Sequence, residues 1–326
     1  MHCIVSENTD PHFNLASEEY LLKSFHEDVF LVYRNVPSIV VGKHQNALAE
    51  INLSFVRDRK IMVARRISGG GTVFHDLGNL NFAFITNGKE GQLVDYRKHT
   101  MPVIEALATL GLNVRLGERN ELLLGGKKIS GTASHVFKKR VLHHGTLLFS
   151  TSIEDLSASL IVKSDTFSDR AVKSVSSRVI NIRDQLTDDM DVVEFRDVIV
   201  HHILKTYEGS CLYNFNTTDL KEIRQLQEDK FATWAWNYGY SPKYRFENEI
   251  QTRSGVVSVV LKVEKGIIRE FSITGEFNGL KEVSELESLI SGTNHDPESI
   301  RNSLSKLRVE DYVGGLGNED LLTGMF

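Results

Sequence analysis

Arg65-Arg66-Ile67-Ser68-Gly69-Gly70-Gly71-Thr72-Val73-Phe74-His75-Asp76-Leu77-Gly78-Asn79 sets three consecutive glycines between an arginine pair and a β-type run. Glycine gives up more backbone entropy on folding than any other residue, so three in a row need a reason. Bare backbone can close on a ligand, and adjacent arginines favour an anion. A flexible hairpin turn is the commoner fate of such stretches. The flanks argue against it: Val63-Ala64 before and Thr72-Val73-Phe74 after have strand character, so a sheet holds the loop at both ends. The loop matches neither GxxxxGK[ST] nor GxGxxG, the two familiar phosphate-binding patterns.

Around this loop lies an ordinary globular chain. Its 326 residues predict about two domains. Hydrophobic residues make up 41% and charged residues 25%, enough for a sizeable core. A net charge of −5 argues against non-specific nucleic-acid binding. The local cluster Lys138-Lys139-Arg140 reads as a solvated face or a docking patch. Cys3 and Cys211 are the two cysteines, which excludes a disulfide framework or a Cys-rich zinc site and suits a reducing compartment. No apolar run reaches about 18 residues, so no membrane span is expected. Met1 to Glu7 resembles neither a secretory nor a transit segment, and a cytoplasmic location is the expectation.

Asn14 is positioned to cap a helix through Leu15, Leu22 and Phe25. Strands are expected at 30–34, 38–42, 63–67, 72–75 and 80–86, with a short helix from Leu53 to about Arg59. Pro102 suits a first helical turn and Gly111 a C′ position, which predicts a helix over 100–110. Strands follow at 114–116, 121–124, 127–133 and 141–150, with Gly125-Gly126 as a hairpin turn. Helices are expected at 153–160 and 191–207. A segment of low charge and no periodicity, 208–218, marks a boundary that divides the chain into residues 1–212 and 213–326. The second part reads as a helix over 219–230, strands at 244–252, 256–264 and 267–274, and helices near 281–289 and 297–307. The fold class is α+β (α/β): a mixed-sheet domain with helices, then a small α+β domain.

Four segments could carry chemistry. Beside the glycine loop, strand alternation in Lys127-Lys128-Ile129-Ser130 puts Lys128 on the face opposite Ile129. A fixed cation beside a phosphate or carboxylate is a catalytic device, and Lys128 is the candidate. In His143-His144-Gly145 the histidines point to opposite faces of a strand, so one faces a pocket and the other is structural. Ser174 to Asn181, after Lys173, is a polar basic loop. There is no GxSxG elbow, and no cysteine is placed for covalent acyl transfer. No HExxH or His/Cys cluster supports a metal site, and metal ligands stay unassigned.

These residues together resemble the lipoate–protein ligase A family. Arg65 to Asn79, Lys128 to Ala133, His143 to Leu148 and Ser176 to Asn181 carry the likeness. Asn14-Leu15-Ala16-Ser17-Glu18-Glu19, Gly42-Lys43-His44-Gln45-Asn46 and Trp234 to Gly239 support it. The resemblance implies a biotin/lipoate ligase-like catalytic domain and an accessory C-terminal domain. It implies that lipoate and ATP, with Mg²⁺, give lipoyl-AMP, and that a lysine of a lipoyl domain then attacks it. Such domains belong to 2-oxoacid dehydrogenase E2 subunits and the glycine-cleavage H protein; no nucleic acid and no membrane is implied. By resemblance, Arg66, Ser68, Gly69, Gly70, Gly71, Thr72, Val73, Phe74 and Asn79 meet the adenylate and lipoate. Lys128 contacts both lipoate and the α-phosphate. Asn120, His144, Gly145, Ser177 and Arg178 complete the set, with 174–179 as the adenylate-covering loop.

The chain departs from the family pattern twice. Arg119-Asn120-Glu121 replaces Arg-Asn-Asp, and Leu48 stands where many members have tryptophan. The nearest rival is a lipoyltransferase fed with preformed lipoyl-AMP, which shares the loop and the lysine. An octanoyltransferase would need a catalytic cysteine, a biotin ligase would carry GRGRxG, and a non-enzymatic lipoate-binding protein would have no use for Lys128.

Overall fold

The computed structural model describes residues 1–88, 93–160, 166–175 and 177–326. Ser176, part of one quoted motif, lies outside them. The chain forms two compact units: 1–43, 55–160 and 174–233 make the first, and 44–54, 161–173 and 234–326 the second. Residues 213–233, assigned from composition to the accessory part, pack within the first unit. The reason is helix Thr217–Leu226, which lies on helix Pro11–Ser24. There Tyr20 and Tyr213 both donate to the Asp219 carboxylate, at 2.8 and 2.6 Å.

Among the described residues the first unit holds a six-stranded sheet in the order Thr132–Phe137, Arg140–Leu148, Asn79–Asn87, Val29–Tyr33, His2–Ser6, Cys211–Leu212. Asn79–Asn87 and Val29–Tyr33 are buried almost throughout, which suits the apolar runs Phe82 to Ile85 and Val29 to Tyr33. Helices Tyr96–Thr109 and Val192–Thr206 cover the sheet, and Phe149 stacks on Phe195 at 4.5 Å in that core. Two three-stranded sheets complete the unit. One has the order Met62–Arg65, Ser38–Val41, Val73–His75; the other is Val114–Leu116, Leu122–Leu124, Lys127–Ser130.

The second unit is a sheet of Phe167–Asp169, Tyr244–Gln251, Val256–Glu264 and Ile267–Gly275. Its strands alternate buried and exposed positions, so one face is solvated and the other packs on helices Val283–Ile290, Pro297–Leu304 and Asn318–Gly324. Leu48, the tryptophan replacement, packs on this second core.

Four expectations need correction. Asp10, not Asn14, caps the first helix: its carboxylate accepts from His12 N, and Pro11 opens the helix. Asn14 is buried one turn in and donates to Asn8 O and Asn35 Oδ1. Helix Tyr96–Thr109 is capped by Asp95, so Pro102 is interior. The expected strand 127–133 breaks at Gly131 into Lys127–Ser130 and Thr132–Phe137, which join different sheets. Arg140 is not solvated: it is buried and donates to His26 O and Glu27 O. Both cysteines are free, and burial pushes the Cys3 thiol up to about 11. Among the described residues no helix is long and apolar enough to cross a membrane.

Candidate active site

The glycine loop joins strands that are not neighbours. Met62–Arg65 and Val73–His75 flank Ser38–Val41, parallel on one side and antiparallel on the other. The loop therefore crosses the end of the middle strand instead of turning a hairpin. That strand's continuation anchors it: Arg66 N donates to Val41 O at 3.0 Å and Lys43 N to Ser68 O at 2.8 Å.

Arg66 is buried beneath the loop and ties it down. Its Nη2 donates to the carbonyls of Gly69 and Gly71, both at 2.7 Å, its Nη1 to Val40 O at 3.0 Å, and its Nε to Ser68 Oγ at 3.0 Å. Burial draws its pKa down to about 10, while the Glu18 carboxylate favours the charge. In a trans peptide the carbonyl and the next N–H point in opposite directions. With Gly69 and Gly71 carbonyls turned into Arg66, the N–H groups of Gly70 and Thr72 face away from it. Thr72 N donates to Ser174 Oγ at 2.9 Å, which brings Ser174 onto the glycines.

The three glycines differ in what they need. Gly70 has φ +92°, and a Cβ there would meet Arg66 Nη2 at 2.9 Å. A Cβ on Gly71 would press on Ser174 at 3.2 Å. At Gly69 no described atom lies within 4 Å of that position. Gly70 lies against Ala133, which pairs with His144 across the adjoining strands.

Lys128 lies on Lys127–Ser130, in the neighbouring three-stranded sheet and on the other side of Gly131 from Ala133. Its side chain lies 3.3 Å from where a Cβ on Gly131 would be, so the glycine leaves room for the ammonium. Burial lowers its pKa, Glu121 opposes that, and Arg66 and Arg119 add to it. The backbone around it is fixed by Lys128 N donating to Arg178 O at 2.9 Å and Ile180 N donating to Lys128 O at 3.1 Å. The structure thus brings the second and fourth motifs side by side. Ser177 and the Arg178 side chain are exposed there.

The two histidines part company. His144 lies 2.6 Å from Ser68 Oγ by Nε2 and 2.8 Å from Glu18 Oε2 by Nδ1. His143 faces the other side, where it stacks on His99 at 5.3 Å and meets Ser134 Oγ at 2.8 Å. Burial draws His143 down to about 3. Gly145 answers to packing: a Cβ would strike the Phe82 ring at 2.6 Å. Phe74 is buried and pairs with Ile39; Val73, beside it, pairs with Val40. Asn79 is buried and donates to Asn81 Oδ1 at 2.9 Å. Asn120 adopts φ +62° in a tight turn, and its carbonyl accepts from Thr132 Oγ1 at 2.6 Å. Glu121 bends back to accept from Arg119 N at 2.8 Å.

Sequence reasoning passed over Glu18, Tyr33 and His75. Tyr33 donates to Glu18 Oε1 at 2.9 Å. His75 accepts from Asn35 Nδ2 at 3.0 Å through Nδ1, and its Nε2 has no partner among the described residues. Burial, then Arg66 and His144, bring its pKa down to about 3, so it is neutral. The available signal was Glu18-Glu19 in a helix whose covered face also holds Asn14 and Ser17; both carboxylates are buried. Among the described residues no three His, Cys, Asp or Glu side chains gather to hold a metal ion.

Residues 10–204 match the lipoyl protein ligase A/B catalytic domain, and 241–324 the bacterial lipoate protein ligase C-terminus. Lipoate–protein ligase 1 of Staphylococcus aureus is 40% identical over 316 residues, 96% of each chain. A lipoate–protein ligase of Bacillus subtilis is 39% identical over 317 residues, again 96% of each. A putative lipoate protein ligase from T. acidophilum with bound lipoic acid superposes with a TM-score of 0.64 at 27% identity, covering 73% of this chain and 98% of that one. A lipoate–protein ligase A bound with ATP gives 0.63 at 28%, with the same coverage. The bipartite ligase of Thermoplasma acidophilum, described with its E2 lipoyl domain, gives 0.63 at 27%, covering 73% and 96%. The two domain matches follow one another along nearly the whole chain, and the relatives align from end to end: this chain belongs to the lipoate–protein ligase family.

Proposed function

We propose that this chain activates lipoate with ATP and passes the lipoyl group to a lysine of a lipoyl domain. In the first step a lipoate carboxylate oxygen bonds to the α-phosphorus, the bond to the bridging oxygen breaks, and pyrophosphate leaves. In the second step the acceptor amine attacks the acyl carbon, loses a proton, and AMP departs with the oxygen.

The observation that carries this reading is Lys128, a largely desolvated ammonium beside Gly131, next to a loop whose carbonyls are held away by Arg66. Two anions must approach each other in the first step. A cation fixed between them lowers that barrier, and in a site short of water the effect is large. Gly70 N–H and the open space at Gly69 supply a bare backbone surface for the adenylate. Arg66 acts by holding the loop, not by offering its Nε or Nη2 to a phosphate. The exposed Ser177 and Arg178 border the entrance beside Lys128.

Mg²⁺ arrives as the partner of ATP's phosphates; among the described residues no three His, Cys, Asp or Glu side chains gather to offer it a protein site. Acceptors are lipoyl domains of E2 subunits and the H protein, as the E2 domain described with the T. acidophilum ligase suggests. The catalytic work is assigned to residues 1–212 together with the helix Thr217–Leu226 that packs on them, and an accessory role to the remainder of 213–326.

The test is lipoate-dependent exchange of labelled pyrophosphate into ATP. The wild type is expected to exchange, and Lys128→Ala to lose it. Absence of exchange alongside transfer from supplied lipoyl-AMP would make the chain a lipoyltransferase. Absence of both would leave a lipoate-binding protein.

A further inference from the structure

We propose that Glu18 is a positioning residue for the adenylate loop, acting through His144 and Ser68. This rests on the proposed function, in which that loop carries the acyl-adenylate.

Four side chains form an unbroken buried line: Tyr33, Glu18, His144 and Ser68 are 3%, 1%, 8% and 0% exposed. The Tyr33 hydroxyl donates to Glu18 Oε1 at 2.9 Å, and burial holds that hydroxyl protonated. Glu18 also faces His144 Nδ1, at 2.8 and 3.0 Å from its two oxygens. A carboxylate has lone pairs and no proton to give, so Nδ1 is the protonated nitrogen. In the neutral imidazole that leaves a lone pair on Nε2, 2.6 Å from Ser68 Oγ. The serine hydroxyl donates to it.

Ser68 Oγ meanwhile accepts from Arg66 Nε at 3.0 Å, and Arg66 Nη2 holds the Gly69 and Gly71 carbonyls. The guanidinium can only donate, so what the histidine tautomer sets is where the Ser68 proton goes. Reversing the tautomer removes Nε2 as its acceptor and leaves Gly69 O, farther away at 3.5 Å, which reorients Ser68 beneath the loop.

The order serine, histidine, carboxylate is that of a hydrolase triad. Here the serine is fully buried and its oxygen already holds an arginine N–H. A nucleophile needs access to its substrate, which this buried serine lacks, so the line orients and does not attack.

Glu18→Gln tests it. The amide keeps the shape but offers an N–H to His144 Nδ1, which favours the other tautomer. The expected result in pyrophosphate exchange is KM for lipoate and ATP raised about tenfold, kcat within about threefold, and an unchanged melting temperature, as for a lost orienting contact. The Kd for supplied lipoyl-AMP, measured by calorimetry, rises by the same factor. Ser68→Ala should give the same loss, and the double variant Glu18→Gln/Ser68→Ala no more than the worse single. Independent, multiplying effects overturn the proposal, as does a lowered melting temperature with KM and Kd unchanged. Calorimetry separates the two readings. A wild type that binds lipoyl-AMP without exchange refutes only the activation step. A wild type that does both, with Glu18→Gln indistinguishable, refutes only the positioning role. A wild type that binds no lipoyl-AMP refutes both.

Discussion

In the second unit Tyr244 donates to His295 Nδ1 at 2.7 Å, and His295 Nε2 donates to Met325 O at 2.6 Å. In the first unit the tyrosine proton goes to Glu18, and the histidine after it passes the line to Ser68. Both histidines are buried and each lies in a line that begins at a buried tyrosine hydroxyl. The His295 line closes on backbone, holds no formal charge and ends inside a core of Leu, Ile and Val side chains. The His144 line contains a carboxylate, lies beside a buried arginine and ends on a loop with open space at Gly69. A closed neutral line secures a fold. A charged line that ends on bare backbone leaves something for a ligand to complete.

The largest effect that tests this contrast belongs to the charged side. Lys128→Ala should lower pyrophosphate exchange on the order of 10²–10³-fold, with thermal melting unchanged, as for loss of one electrostatic stabiliser. Melting that falls with activity would make Lys128 structural.

Next comes the neutral line. His295→Leu leaves the Tyr244 hydroxyl and Met325 carbonyl unpaired and should destabilise the chain by about 2 kcal/mol in denaturant titration, with the exchange KM unaltered. Acid exposes the same feature. Burial brings His295 from its ordinary 6.5 to about 4. A lowered histidine binds its proton more readily in the unfolded chain, so its contribution is complete above 6.5 and is lost as pH falls from 6.5 to 4. That loss is on the order of 3 kcal/mol, and it should be smaller in His295→Leu. Equal acid sensitivity in both proteins would contradict the assignment.

Smaller again are the glycines. Gly70→Ala forces a side chain into φ +92° and onto Arg66. It should cost about 1–2 kcal/mol in stability and raise KM. Gly69→Ala meets no described atom, so its melting should match wild type within about 0.5 kcal/mol. Its KM should still rise, because the open space is where ligand backbone contact is proposed. An unaltered KM in Gly69→Ala would move the adenylate away from the loop. Lastly, burial lowers the Lys128 pKa. The exchange rate should fall on the alkaline side before the ordinary lysine range is reached, and Lys128→Arg should push that limb upward.

Much of the fold was legible because its elements have strong local signals. The Gly125-Gly126 turn, with φ +58° and +78°, and the strands Tyr244–Gln251 and Val256–Glu264 follow from turn chemistry and period-two alternation. The break at Gly131 was not legible, because Lys127 to Ala133 keeps one β-type pattern across two sheets. Arg140 looked solvated beside two lysines; its partners, the carbonyls of His26 and Glu27 and Asn87 Oδ1, come from distant stretches of the chain. Lys128 was proposed from strand alternation. Glu18 was not, since a carboxylate in a helix reads as surface until its partners are in place.

The sequence by itself determined the family, the two-part order of the chain, and the residue types of the site. These depend on motifs and periodicities written within a few residues of one another. The tertiary structure decided what those residues touch. It put Ser38–Val41 between the strands that carry the glycine loop, turned Arg66 toward carbonyls rather than outward, and brought Glu18 to a histidine 126 positions away. Hydrogen-bond direction and burial depend on neighbours supplied by distant strands, and no local pattern encodes them.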